Sequence, residues 1–149
     1  RGPDVLVGVA KGLLDGDPPL RGAAAHALGR AAEFAEPHLL AEIERLLIDL
    51  AKTETERFVM NALAGALHFA WNRSDDETFA VELRHANDQN VTLRLAAAKS
   101  LALSTPVPLP AFLTPTLREL ADDEDTEIRS WAEHGLSYEH GWPHGKGMA

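Results

Sequence analysis

Histidine and carboxylate side chains are the residues in this 149-residue sequence that could carry out chemistry. His134, His140 and His144 lie close together near the C-terminus, and imidazoles are common ligands of transition metals. Residues 140–149 are rich in glycine, however, and a chain of that composition favours adventitious metal binding over a built site. We therefore predict no metal site and no cofactor.

Two acidic runs, residues 75–77 and 122–125, offer carboxylates for acid–base chemistry. Both runs lie where a helix is expected to begin, and acidic side chains there cap backbone N–H groups and complement the helix dipole. The sequence has neither a Gly-x-Ser-x-Gly nucleophile turn nor a phosphate-binding glycine loop. It also has no cysteine, so thiol catalysis is excluded. We predict no catalytic residue and a protein that is not an enzyme.

The charge of the chain narrows the classes of partner. Fourteen basic residues are dispersed among 23 acidic ones, giving a net charge of −9. A nucleic-acid-binding protein normally presents a basic patch, so we predict no nucleic-acid partner. No apolar run is long enough to span a membrane. The acidity favours a basic protein or peptide as partner. The lack of cysteine and of a signal-peptide pattern leads us to expect a cytoplasmic protein.

A repeat supplies the elements that must position any site. Arginines recur at intervals of 36, 37 and 35 residues, at Arg21, Arg57, Arg94 and Arg129. Four residues before each arginine stands a side chain that is favoured at a helix N-cap. These predicted caps are Asp17, Thr53, Asn90 and Asp125. Small or apolar residues three and seven positions after each arginine predict a helix that a neighbour approaches closely.

An amphipathic segment precedes each of these four helices, at residues 3–15, 37–52, 75–87 and 109–122. Pro115 lies inside the fourth segment and is expected to bend it. The sequence therefore predicts an all-α protein of four helix pairs. Their approximate ranges are 3–35, 37–72, 75–104 and 108–139, followed by a tail at 140–149 that is flexible or caps the last pair.

Residues 117–136, LRELADDEDTEIRSWAEHGL, resemble the HEAT-repeat family, including its phycobilisome-lyase-type members. The resemblance implies a right-handed α-solenoid of about four HEAT-like helix pairs. It also implies a structural ladder between turn aspartates and the repeated arginines Arg21, Arg57, Arg94 and Arg129. Carried over by position, the aspartates are Asp15, Asp88 and Asp123. The second repeat departs from the pattern, since Ala51 stands at the aspartate position; either that repeat is degenerate or its register differs.

Trp131, His134 and Tyr138 recur at i, i+3 and i+7 on the last helix. Aromatic stripes are typical of protein interfaces. The stripe is either a partner-binding surface or a face covered by the tail, with Trp142 folding back as a cap.

The repeat then predicts a non-enzymatic interaction scaffold that binds a protein or peptide on a concave face lined by the second helices. The alternatives are a regulatory or lyase-like subunit of an enzyme, which the resemblance implies, and a small protein that neutralises a basic toxin, which size and charge favour. The identity of the partner and the oligomeric state stay open.

Overall fold

A computed structural model of the protein describes residues 2–72 and 79–139. Over these residues the chain forms eight α-helices, one short 3-10 helix and no strand, which confirms the predicted all-α class. Within the described ranges, no helix combines the length and apolar character that crossing a bilayer requires. The chain divides into two compact units, residues 1–76 and 77–149.

Unit 1 contains two helix pairs. Its helices are α1 (Gly2–Lys11), α2 (Pro18–Ala32), α3 (Pro37–Ala51) and α4 (Arg57–Asn72). Helix α1 packs against α2 and α3 packs against α4, while the most extensive packing joins the two second helices, α2 and α4. Each pair is thus stacked on the next through its second helix, because neither pair alone can bury its apolar side.

Two glycines of α2 lie against α4, and of these Gly29 has the less space for a side chain. A Cβ atom added at Gly29 would come within 3.2 Å of both the Cα and the Cβ of Ala66. A Cβ atom added at Gly22 would lie 3.5 Å from the ring of Phe58. Small residues at these positions let the two helices approach closely enough to bury Leu28 and Leu63 completely.

Unit 2 repeats this arrangement. Its helices are α5 (Ala80–His85), α6 (Val91–Ser104), α7 (Thr114–Leu120) and α8 (Thr126–Leu136), with the 3-10 helix at Ala111–Leu113. Helix α5 packs against α6, α7 packs against α8, and the second helices α6 and α8 pack against each other. Ile128 and Leu117 are completely buried in this unit.

Several predicted helix boundaries were wrong. Helix α1 ends at Lys11, four residues before the predicted end, because Gly12 and Gly16 favour a turn. The first helix of the third predicted pair, α5, begins at Ala80. Residues 75–78 of its predicted range lie outside the described residues. Pro115 does not bend a longer helix, since α7 starts at Thr114 and the proline occupies its first turn, where a backbone N–H is not needed.

Two of the four predicted helix caps, Asn90 and Asp125, make the expected hydrogen bonds, and the other two, Asp17 and Thr53, do not. Asn90 accepts a hydrogen bond from the Leu93 N–H at 3.1 Å, and Asp125 accepts from the N–H groups of Glu127 and Ile128 at 3.0 and 3.1 Å, so both predicted caps are confirmed. Asp17 occupies the N-cap position but its side chain makes no cap hydrogen bond. Thr53 is not a cap: α4 begins only at Arg57, and the Thr53 hydroxyl donates back to the Leu50 carbonyl at 3.4 Å.

Candidate docking surface

An ion pair between Arg21 and Glu54 ties the first helix pair of unit 1 to the second. Arg21 Nε and Nη2 donate to the two Glu54 carboxylate oxygens at 2.7 and 2.9 Å. The same carboxylate accepts from the Glu56 N–H at 3.0 Å, and its side chain is only 1% exposed. The hydrogen bond from Arg21 holds the pKa of Glu54 below its ordinary value, despite the opposing effect of burial. This carboxylate therefore stays ionised and orders the turn before α4.

Unit 2 contains an ion pair of the same geometry. Arg94 Nε and Nη2 donate to the Asp123 carboxylate at 2.8 and 3.2 Å. Asp123 in turn accepts from the Asp125 N–H at 2.9 Å, as Glu54 does from Glu56. In each unit, the arginine of one second helix thus binds the turn that precedes the next second helix.

The second repeat follows the same rule once its register is corrected. Asp123 lies six residues before Arg129, and Glu54 lies six residues before Met60. The backbone agrees, because the Met60 N–H donates to the Glu56 carbonyl at 2.9 Å, as the Arg129 N–H donates to the Asp125 carbonyl at 3.1 Å. The predicted register of this repeat was therefore wrong by three residues. Met60, not Arg57, occupies the position of the repeated arginine, which we call the ladder position.

The sequence pattern did not predict Glu54, because the four predicted repeats were matched to each other at their arginines. A methionine at the ladder position gave no signal, while Arg57 supplied a false one. The Thr-Glu-Thr-Glu run before Arg57 held the missing carboxylate and could have revealed it. Of the two open explanations for this repeat, a different register is the one that the backbone supports.

The remaining predicted ladder residues, Asp15, Asp88 and Arg129, take part in neither of these two arginine–carboxylate ion pairs. Asp15 is exposed and makes no ion pair within residues 2–72 and 79–139. Asp88 accepts from the Asn90 N–H at 2.8 Å and lies 3.5 Å from His85 Nδ1. Arg129 donates to the Asp123 carbonyl at 2.8 Å and to the Thr126 hydroxyl at 3.1 Å.

The acidic run at residues 122–125 has a structural role, as predicted. Asp123 binds Arg94, and Asp125 caps α8. In the part of the chain that the structure describes, no group of three or more histidine or carboxylate side chains could hold a metal ion. His140 and His144 lie outside the described residues.

One face of the second helices in unit 1 is open to solvent. Counted from the ladder position, its residues stand at −2, +2, +5 and +9, which is a single stripe along a helix. We call this surface the docking face. On α2 it consists of Pro19, Ala23, His26 and Arg30, and on α4 of Phe58, Ala62, Gly65 and Phe69.

Two phenylalanines dominate the docking face. Phe58 is 51% exposed and Phe69 is 45% exposed. They stand eleven residues apart, so their Cα atoms are separated by about 16 Å along α4. Between them the same stripe carries only Ala62 and Gly65, which have the smallest side chains. Exposed aromatic rings beside small residues are characteristic of binding surfaces.

The predicted aromatic stripe of the last helix occupies the matching positions in unit 2, but α8 ends at Leu136, so Tyr138 lies in the turn after the helix and not on it. Trp131, His134 and Tyr138 stand at +2, +5 and +9 from the ladder position of α8. The rings contact each other edge to face, with centroids 6.1 Å apart for Trp131–His134 and 5.2 Å for His134–Tyr138. Lys99 of α6 lies 5.6 Å from the centroid of the Trp131 ring. The three residues are therefore brought together; Trp142, the predicted cap, lies outside the described residues.

Within each unit, two helix pairs pack through their second helices and are tied together by an arginine–carboxylate ion pair. Comparison with protein-family models, curated proteins and solved structures gave no match.

Proposed function

We propose that the protein is a non-enzymatic interaction module that binds a protein or peptide segment on the docking face of its second helices. Phe58 and Phe69 carry the proposal, because two half-exposed rings on one stripe expose apolar area that a partner could bury. A buried aromatic anchor commonly contributes more binding free energy than the polar residues around it.

The ion pairs support this proposal by explaining how the face is held. Arg21–Glu54 fixes the turn that begins α4, and Gly29 lets α4 lie close against α2. A face on two tightly packed helices is preorganised, so a partner loses less conformational entropy on binding. The two equivalent ion pairs also support a HEAT-like α-solenoid of about four helix pairs, and we extend the proposal to that architecture.

Affinity capture from the native host with matched variants tests the function. Phe58→Ser and Phe69→Ser remove one ring each from the docking face. Phe112→Ser is the control, because Phe112 is 54% exposed but lies in the 3-10 helix before α7. Circular dichroism should first show that all three variants retain the helical content of the wild type.

We expect a specific protein to be recovered with the wild type and with Phe112→Ser, and at least about tenfold less of it with Phe58→Ser or Phe69→Ser. Recovery that does not depend on Phe58 or Phe69 would refute the docking face. The absence of any recovered protein would count against an interaction module altogether.

A further inference from the structure

The acidic residues of unit 1 are segregated from its second helices. Helices α2 and α4 contain no aspartate or glutamate, although the chain has 23 such residues. By comparison, α3, which is a first helix, has three acidic residues, Glu42, Glu44 and Asp49. The docking face thus lies on two helices without acidic side chains, in a molecule that is acidic as a whole.

The polar groups on the docking face are basic. Arg30 and His26 are both exposed, and neither makes an ion pair within the described ranges of the chain. Arg21, by contrast, is neutralised by Glu54. An unpaired guanidinium beside exposed aromatic rings favours a carboxylate from a partner, which it can bind with two parallel hydrogen bonds.

The net charge of −9 does not cancel this local preference. At physiological ionic strength, charges separated by more than about 8 Å are largely screened. Carboxylates that lie farther than this from the docking face therefore act only weakly on a peptide bound there. Asp17 and Glu56 lie directly before α2 and α4, at the N-terminal end of the face. Glu33 lies directly after α2, three residues beyond Arg30, and makes no ion pair with it.

From these observations, and given the proposed function, we infer that the docking face binds an acidic peptide segment that inserts one apolar or aromatic side chain between Phe58 and Phe69. Carboxylates of the segment pair with Arg30, and the inserted side chain lies over Ala62 and Gly65. The charge of the whole chain favours a basic partner, but the charge of this face favours the opposite.

Fluorescence anisotropy with two synthetic peptides tests the inference on the full chain. Both peptides have about ten residues and a central tryptophan, and at about 3.3 Å per residue either can span the face. The flanking residues are glutamate in the first peptide and lysine in the second. A third peptide carries the glutamates with alanine in place of tryptophan.

Two charge reversals provide matched variants. Arg30→Glu changes the docking face, while Arg45→Glu makes the same change in net charge on α3, where Arg45 is 61% exposed. We expect the glutamate peptide to bind more tightly than the lysine peptide, and Arg30→Glu to weaken it about fivefold or more. Arg45→Glu should change its affinity by less than about twofold. Replacing tryptophan by alanine, or Phe69 by serine, should weaken binding at least about tenfold.

The failures of the inference and of the proposed function can be told apart. Preferential binding of the lysine peptide that is lost in Phe69→Ser would overturn the acidic segment and leave the docking face standing. Equal effects of Arg30→Glu and Arg45→Glu would also overturn the inference, because binding would then follow net charge alone. If no peptide binds, the inference fails, and the capture experiment with Phe58→Ser decides the proposed function separately.

Discussion

Replacing Glu54 by glutamine removes the charge of the buried ion pair and keeps its shape. One Glu54 oxygen accepts from Arg21 Nη2 and from the Thr55 and Glu56 N–H groups, while the other accepts only from Arg21 Nε. A glutamine will therefore place its oxygen at the first position and its amide group at the second. There the amide N–H faces the Arg21 Nε–H, so one hydrogen bond is lost and two donors oppose each other.

The size of the effect follows from burial. Breaking a buried ion pair by removing one partner typically costs about 3–5 kcal/mol. Glu54 is 1% exposed, but Arg21 is 22% exposed and keeps a hydrogen bond to the Gly16 carbonyl at 2.9 Å. Since the arginine remains partly hydrated, we expect Glu54→Gln to lower the free energy of unfolding by about 2 kcal/mol.

A double-mutant cycle isolates the interaction. Arg21→Met is the second substitution, because methionine already occupies the ladder position at Met60. The coupling free energy between Arg21 and Glu54 should be about 1.5–2 kcal/mol. The control cycle uses Arg45→Met and Asp49→Asn, an i, i+4 pair 3.4 Å apart and more than half exposed, with an expected coupling below about 0.5 kcal/mol.

Urea unfolding of the full chain measures both cycles. Because the chain has two compact units, the probe must report on unit 1 alone. Trp71 is 4% exposed and lies in α4, so its fluorescence, in a background with Trp131→Phe and Trp142→Phe, follows unit 1. A coupling free energy for Arg21–Glu54 no larger than that of the control would refute the view that this pair ties the two helix pairs together.

Three further predictions concern pH, caps and helix approach. The folded-state pKa of Glu54 is lowered, so its stabilising contribution is complete above the unfolded glutamate value of about 4.3 and is lost as the pH falls through the folded value. Between about pH 5 and pH 3 the stability of the wild type should therefore fall more steeply than that of Glu54→Gln, as measured by urea midpoints at each pH; parallel curves would contradict this. Asp125→Ala should destabilise its unit by about 1 kcal/mol, whereas Thr53→Ala should change stability by less than about 0.5 kcal/mol, and equal losses in urea unfolding would restore the original register. Gly22→Ala should raise the thermal midpoint through helix propensity worth up to about 1 kcal/mol, and Gly29→Ala should gain less because its Cβ would meet Ala66; the opposite order would contradict the close approach at Gly29.

Local signals in the sequence predicted much of the fold. Pro18 and Pro37 start α2 and α3, and Asn90 and Asp125 cap α6 and α8, because these effects involve residues only a few positions apart. The resemblance implied the ladder, and among its predicted residues Arg94 and Asp123 form an ion pair. It failed in the second repeat, where the pattern was anchored on the nearest arginine.

The docking face was harder to predict, and the reason is composition. Helix α2 is so rich in alanine that its apolar residues surround the axis, and periodicity does not say which side a neighbour covers. Phe58, near the start of α4, is half exposed. Only the last helix had a stripe distinctive enough to predict, at Trp131, His134 and Tyr138.

The sequence by itself predicted the all-α class that the described residues show, since caps, prolines and helix propensity act over a few residues of backbone. The tertiary structure decided which carboxylate meets Arg21 and which side of α2 and α4 stays open. Both depend on how residues more than thirty positions apart in sequence pack against each other. The alanine-rich sequence of the helices does not determine that packing. Contacts of glycine and phenylalanine between the helices select one arrangement.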